Sequence, residues 1–100
     1  MIDLKQLQQE VYQNKVNHGF NTTDINMEFC HTYGELSEAY SAWLTRKDDL
    51  GEELADVTIY LLGIAEILNI DLEKELINKI KKNAKRKYKE VNGVFVKVEE

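Results

Sequence analysis

The chain has no proline and only five glycines among 100 residues, so little in it forbids long helices. That scarcity excludes collagen-like, proline-rich and glycine-linker architectures. A single cysteine, Cys30, rules out an internal disulfide and suits a reducing compartment. No basic, apolar, small-residue leader opens the sequence, which sets the expectation of a cytoplasmic protein. Long hydrophobic runs are missing as well. The most apolar stretch, Val57 to Leu68, is interrupted by Glu66 and is too short to span a bilayer. An excess of positive charge is also absent, for the net charge is −5, which argues against a nucleic-acid polymer as partner.

Leu, Ile, Val and Phe together number 29, enough to build a core and to exclude disorder. The length suits one domain over residues 1–100, with a helical core from about 3 to 88 and a tail from 89 to 100. Charge is unevenly spread. From Lys79 to Lys89 there are seven basic residues and no acid, whereas acids concentrate between Glu28 and Glu75.

Periodicity predicts four helices. The first runs from about Asp3 to Val16 on Leu4, Leu7 and Val11, and Gly19 breaks it. The second runs from about Ile25 to Thr45, capped by Thr22, Thr23 or Asp24. Its apolar stripe is Ile25, Phe29, Tyr33, Leu36, Tyr40, Trp43 and Leu44. Asp49 and Glu52 suit a capping box at the start of a third helix ending near Asn69, and Asp71 caps a fourth running to about Tyr88. The third helix has a stripe of Leu54, Val57, Leu61, Ile64, Ala65 and Leu68, yet Ile59, Leu62 and Ile67 fall outside it. Apolar on most sides, it needs more cover than three short neighbours supply, which predicts a homo-oligomer. Asn92-Gly93 between alternating β-formers is a tight-turn signature, so the tail is read as a hairpin or a strand.

Residues three apart on a helix share a face. "YGELSEAY" therefore puts Glu35 beside Glu38, away from the Ile25–Leu36–Trp43 stripe, with His31 one turn earlier. "EELAD" puts Glu53 beside Asp56, with Tyr60 one turn later. A short connector makes the two helices antiparallel neighbours, so two carboxylate clips face each other. A lone E-x-x-E is ordinarily a solvated surface; two clips on adjacent helices repel unless a cation sits between them. Hard oxygen donors suit Mg²⁺, with Mn²⁺ as substitute. On the fourth helix Lys79, Lys82, Asn83 and Arg86 share a face distinct from its Leu72–Leu76–Ile80–Ala84 stripe. That face is either a solvated cationic surface or a polyphosphate cradle.

These motifs, Glu35-x-x-Glu38, Glu53-x-x-Asp56, "VTIYLLGIAEILNIDLEKEL" and "KIKKNAKRKY", resemble the MazG-like nucleotide pyrophosphohydrolases of the all-α NTP pyrophosphatase group. The likeness covers about Glu28 to Tyr88. It implies a four-helix bundle-like fold and a homodimer or homotetramer. It also implies Mg²⁺ held by Glu35, Glu38, Glu53 and Asp56, and cleavage of a nucleoside triphosphate into monophosphate and pyrophosphate. Glu35 and Glu38 become the catalytic pair, with Glu38 the candidate for orienting or deprotonating the attacking water. Lys79, Lys82, Asn83 and Arg86 fall where the family contacts phosphate. "HTYGELSE" departs from the acid-richer "EEVGELAE" of many relatives, placing His31 where an acid is common; it is either a ligand or phosphate contact or a surface hydrogen-bond donor. Phe20, Asn21 and Tyr60 are candidates for base binding, with Trp43 on the core stripe and Cys30 a small apolar filler. A phosphoribosyl-ATP pyrophosphatase or dUTPase relative uses the same clips. A non-catalytic helical module is the contrasting alternative, and a di-iron bundle is disfavoured because neither clip supplies Glu-x-x-His.

Overall fold

Aspartates start three of the four helices in the computed structural model, which describes residues 1–98. Asp3, Asp24 and Asp71 each accept a hydrogen bond from the backbone three residues on, at Gln6, Met27 and Lys74. These caps open α1 (Leu4–His18), α2 (Ile25–Leu44) and α4 (Leu72–Lys85). α3 (Leu50–Ile67) begins differently, because Asp49 is not extended and its side chain makes no cap bond. The capping box expected of Asp49 and Glu52 does not form. Gly19 at φ 70° and Asn69 at φ 60° end α1 and α3 in the left-handed region, the latter as its sequence position implies. α4 stops at Lys85 rather than Tyr88. The chain then enters a hairpin of β1 (Lys87–Val91) and β2 (Val94–Val98), turning on Asn92 and Gly93 with positive φ at both. The tail is thus a hairpin, and residues 99 and 100 of it lie outside the described residues.

α3 packs against both α1 and α2 and runs antiparallel to each. Against α1, Gln8 reaches Glu66 and Ile70 at one end, while Lys15 lies over the Tyr60 ring at the other. Against α2, His31 meets Tyr60 edge-on. The core at these crossings is small: Ala39, Ala42, Leu62, Ile64 and Ala65. Leu62 is buried although the helical stripe excludes it, and Leu54, Leu61 and Leu68 of that stripe stay half exposed. Two neighbours, α1 and α2, bury a block of consecutive residues rather than one stripe.

The face α2 turns to α3 is not its apolar one. Buried Glu28, Ala39 and Ala42 lie on the inward side with half-buried Glu35, while Tyr33, Leu36, Tyr40 and Trp43 look outward. Trp43, read from the sequence as core, is 61% exposed. Cys30 is likewise exposed rather than a filler. α4 packs on α1 and is tied there at its start by a bond from the Leu4 amide to Glu73 (2.9 Å) and from the Leu72 amide to Gln8 (3.3 Å). None of its described residues is buried, so the Leu76, Ile77 and Ile80 face is left uncovered by the described residues. The radius of gyration, 16.8 Å, exceeds the value of about 13 Å typical of a compact 100-residue domain. None of the described helices is long and apolar enough to cross a membrane.

Candidate metal centre

The inward face of α2 meets the first turns of α3 as a concentration of negative charge. Ligand oxygens of Glu35, Glu38 and Glu53 lie within 4.8 Å of one another. One oxygen each of Glu35, Glu53 and Asp49 is shut off from solvent and, among the described residues, has no hydrogen-bond partner. Buried carboxylate oxygens without donors cost free energy and persist where something positive satisfies them. Every donor in the cluster is a hard anionic oxygen, the chemistry that Mg²⁺ or Mn²⁺ takes. The residues present therefore fit a divalent ion.

The electrostatics agree with the geometry. Burial raises the Glu35 carboxyl above its ordinary pKa, and Glu38, Asp56 and Glu53 push it further. Glu53 is raised by burial and then by Asp49, Glu38 and Asp56, with Lys47 pulling the other way. Tyr60 is raised by burial and by Glu35, Glu28, Asp56 and Glu38. Asp56 thus sits close enough to act on Glu35, Glu53 and Tyr60 but stands outside the tight group of three.

Asp49 is an acid that sequence reasoning assigned elsewhere. Read as a helix cap, it stands at the start of α3 without a cap bond, has one oxygen buried with no partner among the described residues, and acts on Glu53. Its spacing of four from Glu53 was the available signal.

The cationic residues are not brought to this centre within one chain. Lys79, Lys82 and Asn83 lie on α4, and Arg86 is the residue that ends it. The charges weighing most on Glu35 and Glu53 include no cation of that helix. Among the described residues the two ion pairs are Lys5–Asp71 and Lys15–Glu28.

Phe20 and Tyr60 do come together, on the wall of a cavity of about 420 Å³ between α1 and α3. Its floor is Leu7, Val11, Ile59 and Leu62, and its polar edge is Glu10, Asn14 and Lys15. Tyr60 separates this apolar hollow from the acids: its ring meets His31 at 5.9 Å and its hydroxyl feels the cluster. Phe20 stacks on His18. Asn21, expected beside them as a base contact, is occupied in holding its own loop. Its amide nitrogen donates to the Asp24 carbonyl (2.8 Å) and to Glu28 (3.1 Å), and its oxygen accepts from the Asp24 amide (3.0 Å).

Below that loop lies a feature with no local sequence signal, the ion pair of Lys15 and Glu28. Glu28 is 1% exposed, and Lys15 also caps the Tyr60 ring at 5.4 Å from its centroid. The pair joins α1 to α2 across 13 residues, and its Lys15 also lines the cavity. Comparison with protein-family models, with curated proteins and with solved structures found no match for this chain.

Proposed function

We propose that this chain is a Mg²⁺-dependent nucleoside triphosphate pyrophosphohydrolase of the MazG-like kind, acting in nucleotide-pool housecleaning in the cytoplasm. The observation that carries the proposal is the convergence of Glu35, Glu38 and Glu53 from two antiparallel helices, with buried oxygens of Glu35 and Glu53 that nothing among the described residues satisfies. Glu35, Glu38 and Glu53 would hold the metal, with Asp56 at the edge of the same field. Bound there, a divalent ion neutralises phosphate charge and lowers the pKa of water. Glu38 is the exposed member of the group and so is the one free to orient or deprotonate an attacking water.

The cavity behind Tyr60 gives the base somewhere to go. It is mostly apolar, shares with the acids the one neighbour Tyr60, and offers Phe20 and Tyr60 as aromatic walls. Phosphate contacts from Lys79, Lys82, Asn83 and Arg86 require a homodimer or homotetramer in which these residues approach the acids of another copy. Two features support that arrangement: the uncovered apolar stripes of α2 and α4, and the opposite charges of the acidic centre and the basic helix.

The test is pyrophosphate release from a panel of canonical and modified dNTPs, dUTP and phosphoribosyl-ATP, with Mg²⁺ or Mn²⁺. The panel separates a general housecleaning enzyme from a dUTPase or phosphoribosyl-ATP relative. Glu38→Gln should lower kcat by at least about 100-fold, the usual weight of a positioned general base, with helicity unchanged. No release from any nucleotide with either metal sinks the proposal and favours a helical interaction module.

A further inference from the structure

The C-terminal hairpin has no work to do in the proposed chemistry, and it is oddly placed for stability. Every described residue of β1 and β2 is exposed, and two strands of five residues are marginal at best when alone in water. Its pairing register runs Lys87↔Val98, Tyr88↔Lys97, Lys89↔Val96, Glu90↔Phe95 and Val91↔Val94. Side chains alternate between faces, so Val91, Val94, Val96 and Val98 lie on one side with Lys87 and Lys89 at its β1 margin, and Tyr88 and Phe95 lie on the other with Glu90 and Lys97. Both outer edges are open among the described residues, whose one sheet has these two strands.

The two edges differ in what they accept. In an antiparallel hairpin closed by a two-residue turn, the residues flanking the turn bond each other, and hydrogen-bonded pairs alternate from there. The amides of Val94, Val96 and Val98 therefore face β1, and those of Phe95 and Lys97 face outward. On β1 the outward amides are those of Tyr88 and Glu90. A β1 edge meeting its own copy about Lys89 sets two lysines directly opposite, which is destabilising. A β2 edge meeting its own copy about Val96 has no such conflict: Val96 faces Val96, Phe95 faces Lys97, and Val94 faces Val98. Lysine on an edge is a common guard against such pairing; β1 has two and β2 has one, which lands on a phenylalanine ring.

We propose that two copies of this chain join by antiparallel pairing of β2 with β2 across a two-fold axis at Val96, making a four-stranded sheet. The pairing sets eight valines on one continuous face and reaches the strand number at which a sheet stabilises itself. The chain's exposed area points the same way. It is 8075 Å², against about 5,900 Å² expected of a folded monomer of this mass, a surplus of roughly 2,200 Å² per chain. Interfaces between obligate partners hide about 2,000–5,000 Å² in total, so the surplus is that of a chain that associates, and the fully exposed strands of the hairpin make up one part of it. The inference stands apart from the catalytic proposal and holds or fails without it.

The experiment combines sedimentation of the full chain with amide hydrogen exchange at Phe95 and Lys97, and repeats both with Lys97→Pro. That substitution removes an outward amide while leaving the bonds between β1 and β2 in place. In the unaltered chain Phe95 and Lys97 are protected, and the protection grows with protein concentration. In Lys97→Pro the number of chains per particle is halved, whether from four to two or from two to one. Protection at Phe95 is lost with helical circular dichroism retained. Loss of two symmetry-related bonds weakens the association by roughly 30- to 150-fold. Lys89→Glu, on the opposite edge, leaves the particle size unchanged. A monomeric full chain, unprotected Phe95 and Lys97 amides in an associated chain, or a particle size indifferent to Lys97→Pro overturns the proposal.

Discussion

Replacing Lys15 by methionine isolates the ion pair that ties α1 to α2. In the native chain Glu28 is 1% exposed and receives the Lys15 ammonium on one oxygen and the Asn21 amide on the other. Lys15→Met keeps the length and the apolar stem but leaves a buried carboxylate with one neutral donor. Removing one member of a buried pair costs about 3–5 kcal/mol, and the surviving Asn21 bond places this case near 3. Loss of the contact with the Tyr60 ring adds about 0.5–1 kcal/mol. For a chain of this size that is a fall in Tm of very roughly 12–30 °C, a large share of a total stability of about 5–15 kcal/mol. The double variant Lys15→Met/Glu28→Leu removes both charges and returns most of the loss, since an apolar replacement of a buried pair is close to neutral. Urea unfolding at fixed protein concentration, run as a double-mutant cycle, measures the coupling. A cost below about 1 kcal/mol for Lys15→Met, or a double variant as unstable as the sum of the singles, refutes the buried-pair account.

Two further outcomes follow from the same geometry. Glu35 and Glu53 are raised above their ordinary 4.5, so the folded chain binds their protons more tightly than the unfolded one. Their protonation thus contributes stability that is fully present below 4.5 and lost as pH rises through the raised folded values. Metal-free protein should gain thermal stability as pH is lowered from neutral toward that window, and saturating Mg²⁺ should abolish the slope; a flat or opposite profile without metal contradicts the repulsion. Gly63→Ala should stabilise by up to about 1 kcal/mol, because a helix interior favours alanine and the added methyl meets Lys15 and Val11 at ordinary contact distances of 3.6 Å. A loss in urea unfolding would show that α1 and α3 pack too tightly there for even a methyl.

Helix ends were legible because their causes are local. Asp24, Asp71, Gly19 and Asn69 act within one turn of themselves, and each did what its position implied. The Asn92-Gly93 turn is legible for the same reason. The inward face of α2 was not. Periodicity assigns the apolar stripe to the core, but in this chain alanines and acids face α3, and Tyr33, Leu36, Tyr40 and Trp43 face away. A stripe left exposed looks the same in sequence as one that meets the chain's own core. Small Ala39 and Ala42 let α2 approach α3 closely, and that approach is what crowds Glu35, Glu38 and Glu53. Lys15 and Glu28 carry no mutual signal at 13 residues apart; only the fold, which brings the end of α1 to the start of α2, defines them as a pair. Asp49 does stand at the start of α3, but its backbone is not extended and its side chain makes no cap bond, a local geometry that residue type alone does not reveal.

The central claim is that carboxylates of α2 and α3 gather to hold a divalent ion. Titration of Mn²⁺ into the chain, followed by electron paramagnetic resonance and calorimetry, tests it without any substrate. Saturable binding is predicted, weakened by at least about tenfold in Glu35→Gln and again in Glu53→Gln, with folding unchanged. No saturable binding, or binding that survives both substitutions together, contradicts it.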